Sequence, residues 1–142
     1  MLGTRMTSEK IFEQTARDIN LQRIMNVSAF GATTGEHDWI PDRAIGPTDD
    51  YLYDVEKEYN DEQLSGFLHK PSAYIAKMET PEKRKLLMEH RREELRKLIA
   101  VYYTQRGWSN NGIPRVETLK QIGLWDFLTE ETKTKIAALN GQ

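Results

Sequence analysis

The chain has 142 residues, with 20 Lys and Arg against 22 Asp and Glu, three His, no Cys and 38% hydrophobic residues. The near-neutral balance excludes a surface built to grip a polyanion. The missing cysteines exclude disulfides, thiolate metal sites, thiolate-held iron–sulfur clusters and Cys nucleophiles. The length fits one domain of roughly 100–200 residues, and the low apolar share points to a thin core or one completed by a partner.

No apolar run of signal-peptide length opens the chain. The longest apolar run, Leu98 to Tyr103, is six residues, far short of a membrane span. The expectation is a cytoplasmic protein with no membrane partner. Thr7 or Ser8 is placed to cap a first helix. In it Ile11, Phe12, Ala16, Ile19 and Ile24 recur at roughly helical spacing, with Glu9, Arg17 and Asp18 between them. Its end is expected near 26–28. From 30 to about 50 the pattern stops, because Gly31, Gly35, Pro41, Gly46 and Pro47 break helices and strands alike. An ordered loop is expected there, with Trp39, Ile40 and Ile45 to bury. Residues 49–62 are acidic and carry Tyr51, Tyr53 and Tyr59. Helical turn and extended chain both fit that composition, and a solvated acidic surface is the expected role.

Thr80-Pro81 opens a second strong helix, with Thr as cap and Pro in the first turn. It runs to about 105. Leu87, Leu95, Leu98, Ile99 and Tyr102 form its apolar stripe, and Lys, Arg and Glu crowd the other faces. Gly107 is placed to end it in a left-handed turn. A short helix over 116–122 follows Pro114 and is capped by Gly123. Another starts at Thr129, where Glu130 and Glu131 suit the helix dipole, and fades at Asn140-Gly141. The expected fold is all-α: a single multihelical orthogonal domain over 1–142 with one long irregular loop segment.

Few residues suggest chemistry. Glu36-His37-Asp38 is the nearest thing to a metal cluster, but three adjacent side chains cannot all turn to one ion without a curled backbone. His69 and His90 stand alone and read as structural or solvated. The segment GATTG lacks the Lys and flanking strand of a phosphate loop, and no nucleophile motif is present. The basic faces of the second long helix are diluted by Glu82, Glu89, Glu93 and Glu94 and carry no stacking motif, which argues against a nucleic-acid partner.

The most informative stretch is 102–114, YYTQRGWSNNGIP. Read by itself it is a helix end and a compact turn. Gly107 and Gly112 supply permissive dihedrals, and Asn110-Asn111 tolerate left-handed ones. Trp108 and the tyrosines bring large area to bury, and Arg106 is placed to bond the last helix carbonyls.

This stretch resembles the C-terminal signature of the aldehyde ferredoxin oxidoreductase family, the tungsten- or molybdenum-pterin enzymes. Its members end in YY-x-x-RGW-x-x-x-G-x-P, a short helix and LGL. The matching residues are Tyr102, Tyr103, Arg106, Gly107, Trp108, Gly112 and Pro114, then Gly123-Leu124 after the helix. Upstream, 16–27 (ARDINLQRIMNV) is similar to the family's ER-x-x-NLER-x-x-NV helix, and Pro41-Asp42-Arg43 to its P-x-R loop. The family's pterin-binding domain, its [4Fe–4S] Cys ligands and its pterin-holding acidic motifs lie before this part, and no residue here matches them. Residues 49–92 also look longer and more charged than the usual connection.

The resemblance therefore implies a fold and a signature set (Tyr102, Tyr103, Arg106, Gly107, Trp108, Gly112, Pro114 and Arg43), with no catalytic, cofactor-binding or metal residue in this chain. It implies a C-terminal segment or split subunit, structural in role. That segment would pack on a larger chain bearing tungsto- or molybdopterin and the cluster, with ferredoxin as the indirect electron partner. The alternative is a free-standing helical protein-interaction module with no redox role.

Overall fold

The computed structural model describes residues 7–30 and 38–141. Among them there is no strand; an isolated antiparallel bridge joins Trp108 and Pro114. The elements are α1 (Ser8–Phe30), α2 (Asp42–Ile45), α3 (Asp50–Val55), α4 (Lys57–Leu68), α5 (Ser72–Ile75), α6 (Thr80–Arg106), α7 (Val116–Gln121), a 3-10 turn (Trp125–Phe127) and α8 (Glu130–Asn140). The all-α expectation holds. No described helix is long and apolar enough to cross a membrane. The chain divides into two compact units, one of Met1–Asp38 with Ala100–Gln142, the other Trp39–Ile99.

The first unit is built on one face of α1. Asn20, Arg23, Ile24 and Val27 are buried there, at the three- and four-residue steps that bring side chains to one helix face. Ile24 and Val27 join Ile113, Leu119, Leu124 and Ile136 in a core fringed by Val116, Ile122, Trp125, Leu128 and Leu139. Polar ties close its edges. Arg17 donates to the carbonyl of Ile122 at 2.6 Å, Lys135 to that of Ser28 at 2.6 Å, and Asn140 to that of Pro114 at 3.1 Å. Thr129 caps α8, accepting from the amide of Thr132. Gly107, Gly112 and Gly123 adopt left-handed backbone. Asn110 and Asn111 do not share it, since His69 is the residue other than glycine with positive φ among those described.

The second unit encloses Tyr53, Leu64, Ile75 and Leu87, with Phe67, Leu68, Met78 and Leu86 around them. Two expectations change here. The segment 30–50 is not loop throughout, because Asp42–Ile45 forms a helical turn behind Pro41; residues 31–37, with His37 and Glu36, lie outside the described residues. Thr80 does not cap α6: its hydroxyl donates to Asp54, and the backbone of Glu79 accepts the first helical bonds. The acidic stretch is helical, with Asp49 capping α3. Glu56, Glu58 and Glu62 face water, but Asp61 is drawn inward. It accepts from the Tyr53 hydroxyl at 2.7 Å and pairs at 2.9 Å with Lys83, whose side chain is 1% exposed. A buried ammonium is tolerated only when paired in this way.

Candidate functional site

The signature loop is shaped first by its backbone. Gly107 leaves α6 at φ +68°, and a Cβ there would collide with Thr118, whose hydroxyl donates to the Gly107 carbonyl at 2.8 Å. The chain then turns tightly. Ser109 N–H donates to Ile113 O at 2.7 Å, and Gly112 N–H to Ser109 O at 2.9 Å. Gly112 sits at φ +72°, and a Cβ on it would strike Arg23 and Tyr103. Both conformation and close approach demand glycine.

Against this loop lies the polar part of the α1 face. The Trp108 indole, 6% exposed, donates to Asn20 Oδ1 at 2.9 Å. Asn20 in turn donates to the carbonyl of Ala16. Arg23 Nε donates to Gly112 O at 2.6 Å. Its Nη1 and Nη2 grip the two oxygens of Asp38 at 2.9 and 2.7 Å. The guanidinium lies 4.9 Å from the Trp108 ring centroid and 5.8 Å from that of Tyr103, in cation–π range. The Tyr103 hydroxyl also donates to Asp38. Burial, helped by that bond, pushes the Tyr103 phenol up to about 12.

Tyr102 packs edge-on against Trp108 at 5.6 Å and stays partly exposed. Arg106 lies over the Tyr102 ring at 5.1 Å rather than at the helix-end carbonyls expected for it. Pro114 is buried and bridges Trp108. Thus the helix match and the signature loop close on one another. Arg43 is not in this node: it is exposed on α2 in the second unit. There it borders an open groove of about 830 Å³ lined also by Ile45, Phe67, His90 and Leu95.

The node's chemistry is that of a clamp. A bidentate Arg–carboxylate pair is strong and directional. Each of its principal groups is spent on another, which leaves a fixed geometry rather than a poised acid, base or nucleophile. Asn20, Arg23 and Asp38 carry it: the sequence offers Asn20 and Arg23 only within the family-like helix stretch and Asp38 only within the Glu36-His37-Asp38 triplet, not as members of one clamp. The signal was present: two long polar side chains three residues apart on the apolar face of a helix. His90 stacks on Phe67 with centroids 4.0 Å apart, and His69 takes the left-handed cap of α4. No group of three or more His, Cys, Asp or Glu able to hold a metal ion occurs among the described residues.

No curated protein and no solved structure matches the chain. The family model for aldehyde ferredoxin oxidoreductase, domains 2 and 3, matches residues 1–124, a span that includes both arms of the node. The chain belongs to the aldehyde ferredoxin oxidoreductase family, in the part formed by its domains 2 and 3.

Proposed function

We propose that this chain is a C-terminal segment or split subunit of an aldehyde ferredoxin oxidoreductase-like enzyme. In this reading it holds a scaffold and docks on a larger cytoplasmic chain that carries the pterin and the cluster. The complete enzyme would oxidise an aldehyde, or run a related low-potential conversion, with electrons passing to ferredoxin. The observation that carries the reading is the closure of the two family stretches into one internally committed clamp, which suits a framework more than a reaction centre.

The donor set does not fit an iron–sulfur cluster, since the chain has no Cys. Exposed apolar side chains such as Phe12, Leu98 and Phe127 support a partner surface. Tyr102, Tyr103, Arg106, Gly107, Trp108, Gly112, Pro114 and Arg43 act in this reading as structural residues.

The test is recovery of tagged chain from its native cells, with metal analysis of what accompanies it. Tungsten or molybdenum with iron on a large co-purifying chain is the expected result. Consistent recovery of a metal-free protein partner would favour the interaction module instead, a reading that the open groove on the second unit supports. A metal-free monomer would overturn both.

A further inference from the structure

We propose that Asn111-Gly112 is a deamidation site that the folded signature loop holds shut, and that its modification irreversibly releases the Arg23 anchor. The chemistry is intrinsic to an Asn followed by a residue with no side chain to obstruct the backbone. The amide nitrogen of Gly112 attacks Cγ of Asn111. The new N–Cγ bond closes a succinimide as the Cγ–Nδ2 bond breaks, and ammonia leaves with the proton of the Gly112 amide. Water then opens the ring at either carbonyl, giving aspartate or isoaspartate.

Asn111 is exposed and Gly112 buried, so water can reach the residue while the nucleophile is held. The Gly112 N–H is committed to Ser109 O at 2.9 Å, and the Gly112 carbonyl is pinned by Arg23 at 2.6 Å. Ser109 and Ile113 exchange two more bonds around the same turn, through the Ser109 amide and the Ser109 hydroxyl. The peptide cannot rotate to present its nitrogen to Cγ without breaking this set. Reaction therefore waits for local opening of the loop. Ring opening to isoaspartate places an extra carbon in the main chain between Asn111 and Gly112. That shifts the Gly112 carbonyl away from Arg23 Nε, and the loop cannot close as before.

The chain supplies its own comparator, because Asn140-Gly141 is a second such pair. The full chain is aged in neutral buffer, folded or in denaturant, and followed by peptide mapping with an isoaspartate-specific readout. In denaturant both pairs should convert. In the folded chain conversion at position 111 should be roughly tenfold slower or more, as expected for a locally protected amide. Equal rates at position 111 in the two conditions would overturn the proposed protection. Folded chain enriched for isoaspartate at position 111 should melt at lower temperature than fresh chain, and Asn111→Ser should not lose its midpoint on ageing. An ageing loss of the same size in Asn111→Ser, at equal conversion of Asn140, would overturn the proposed consequence.

Discussion

Arg23 serves two neighbours at once. Its Nε satisfies the Gly112 carbonyl while the rest of its fork holds Asp38. Removing Arg23 leaves the buried Gly112 carbonyl without its donor and takes the cation away from Asp38, which keeps its Tyr103 bond. Arg23→Ala should therefore cost about 3 kcal/mol of unfolding free energy, read by denaturant titration. Trp108 separates ring from hydrogen bond. Trp108→Ala should cost about 3–5 kcal/mol, and Trp108→Phe about 1–3 kcal/mol through the orphaned Asn20 oxygen. An unchanged thermal midpoint in the Ala variant would mean the ring does not support the fold. Tyr103 supplies a pH signature. The folded state holds its phenolic proton more tightly than the unfolded chain, where a tyrosine titrates near ~10. The stabilisation is thus whole below that pH and is lost as pH rises towards about 12. Tyr103→Phe should flatten the alkaline fall in thermal midpoint over that window. Burial and Asp61 raise the Tyr53 phenol in the same direction, so some slope should remain.

Among the elements, α6 is the least like its sequence pattern. Its stripe predicts a buried face, and Leu87 and Met88 are buried, yet Leu98 is 66% exposed and Val101 and Tyr102 are also open. Its buried Lys83 instead reaches Asp61 of α4. Asp61→Asn strands that ammonium and should cost about 3–5 kcal/mol. Lys83→Met leaves a carboxylate that is partly exposed and still bonded to Tyr53, so the loss should be smaller, and equal losses would show that Asp61 does not serve to neutralise Lys83. At α8 the Thr129 cap is simpler: Thr129→Ala should cost about 1 kcal/mol, visible as a small fall in helicity and midpoint.

At the scale of the whole chain, each of the two units has its own apolar cluster, and both clusters are modest for their helices. The first two turns of α1, residues 8–15, are exposed throughout and include Ile11 and Phe12. If the chain docks on a larger subunit, amide exchange in some of these exposed apolar segments should slow when that subunit is present. Exchange unchanged everywhere on addition of the co-purified chain would count against docking.

Much of the fold was legible without coordinates, because helices of this length are encoded locally. Periodic apolar residues and the helix start at Thr129 are read over one or two turns, and the structure starts α1, α6 and α8 within a residue of the expected places. Gly107 and Gly123 announce left-handed ends for the same local reason. The turn at α2 was missed because four residues are too few for a period to register. The candidate site was legible by half. Its loop has a signature, but its partners Asn20 and Arg23 lie 88 and 89 residues away from the groups they bind, and Asp38 lies 65 from Tyr103. Periodicity states which face of a helix turns inward, never what it meets there. Whether a polar side chain on that face is a defect or a clamp depends on the donor or acceptor opposite, and only the tertiary structure decides that pairing.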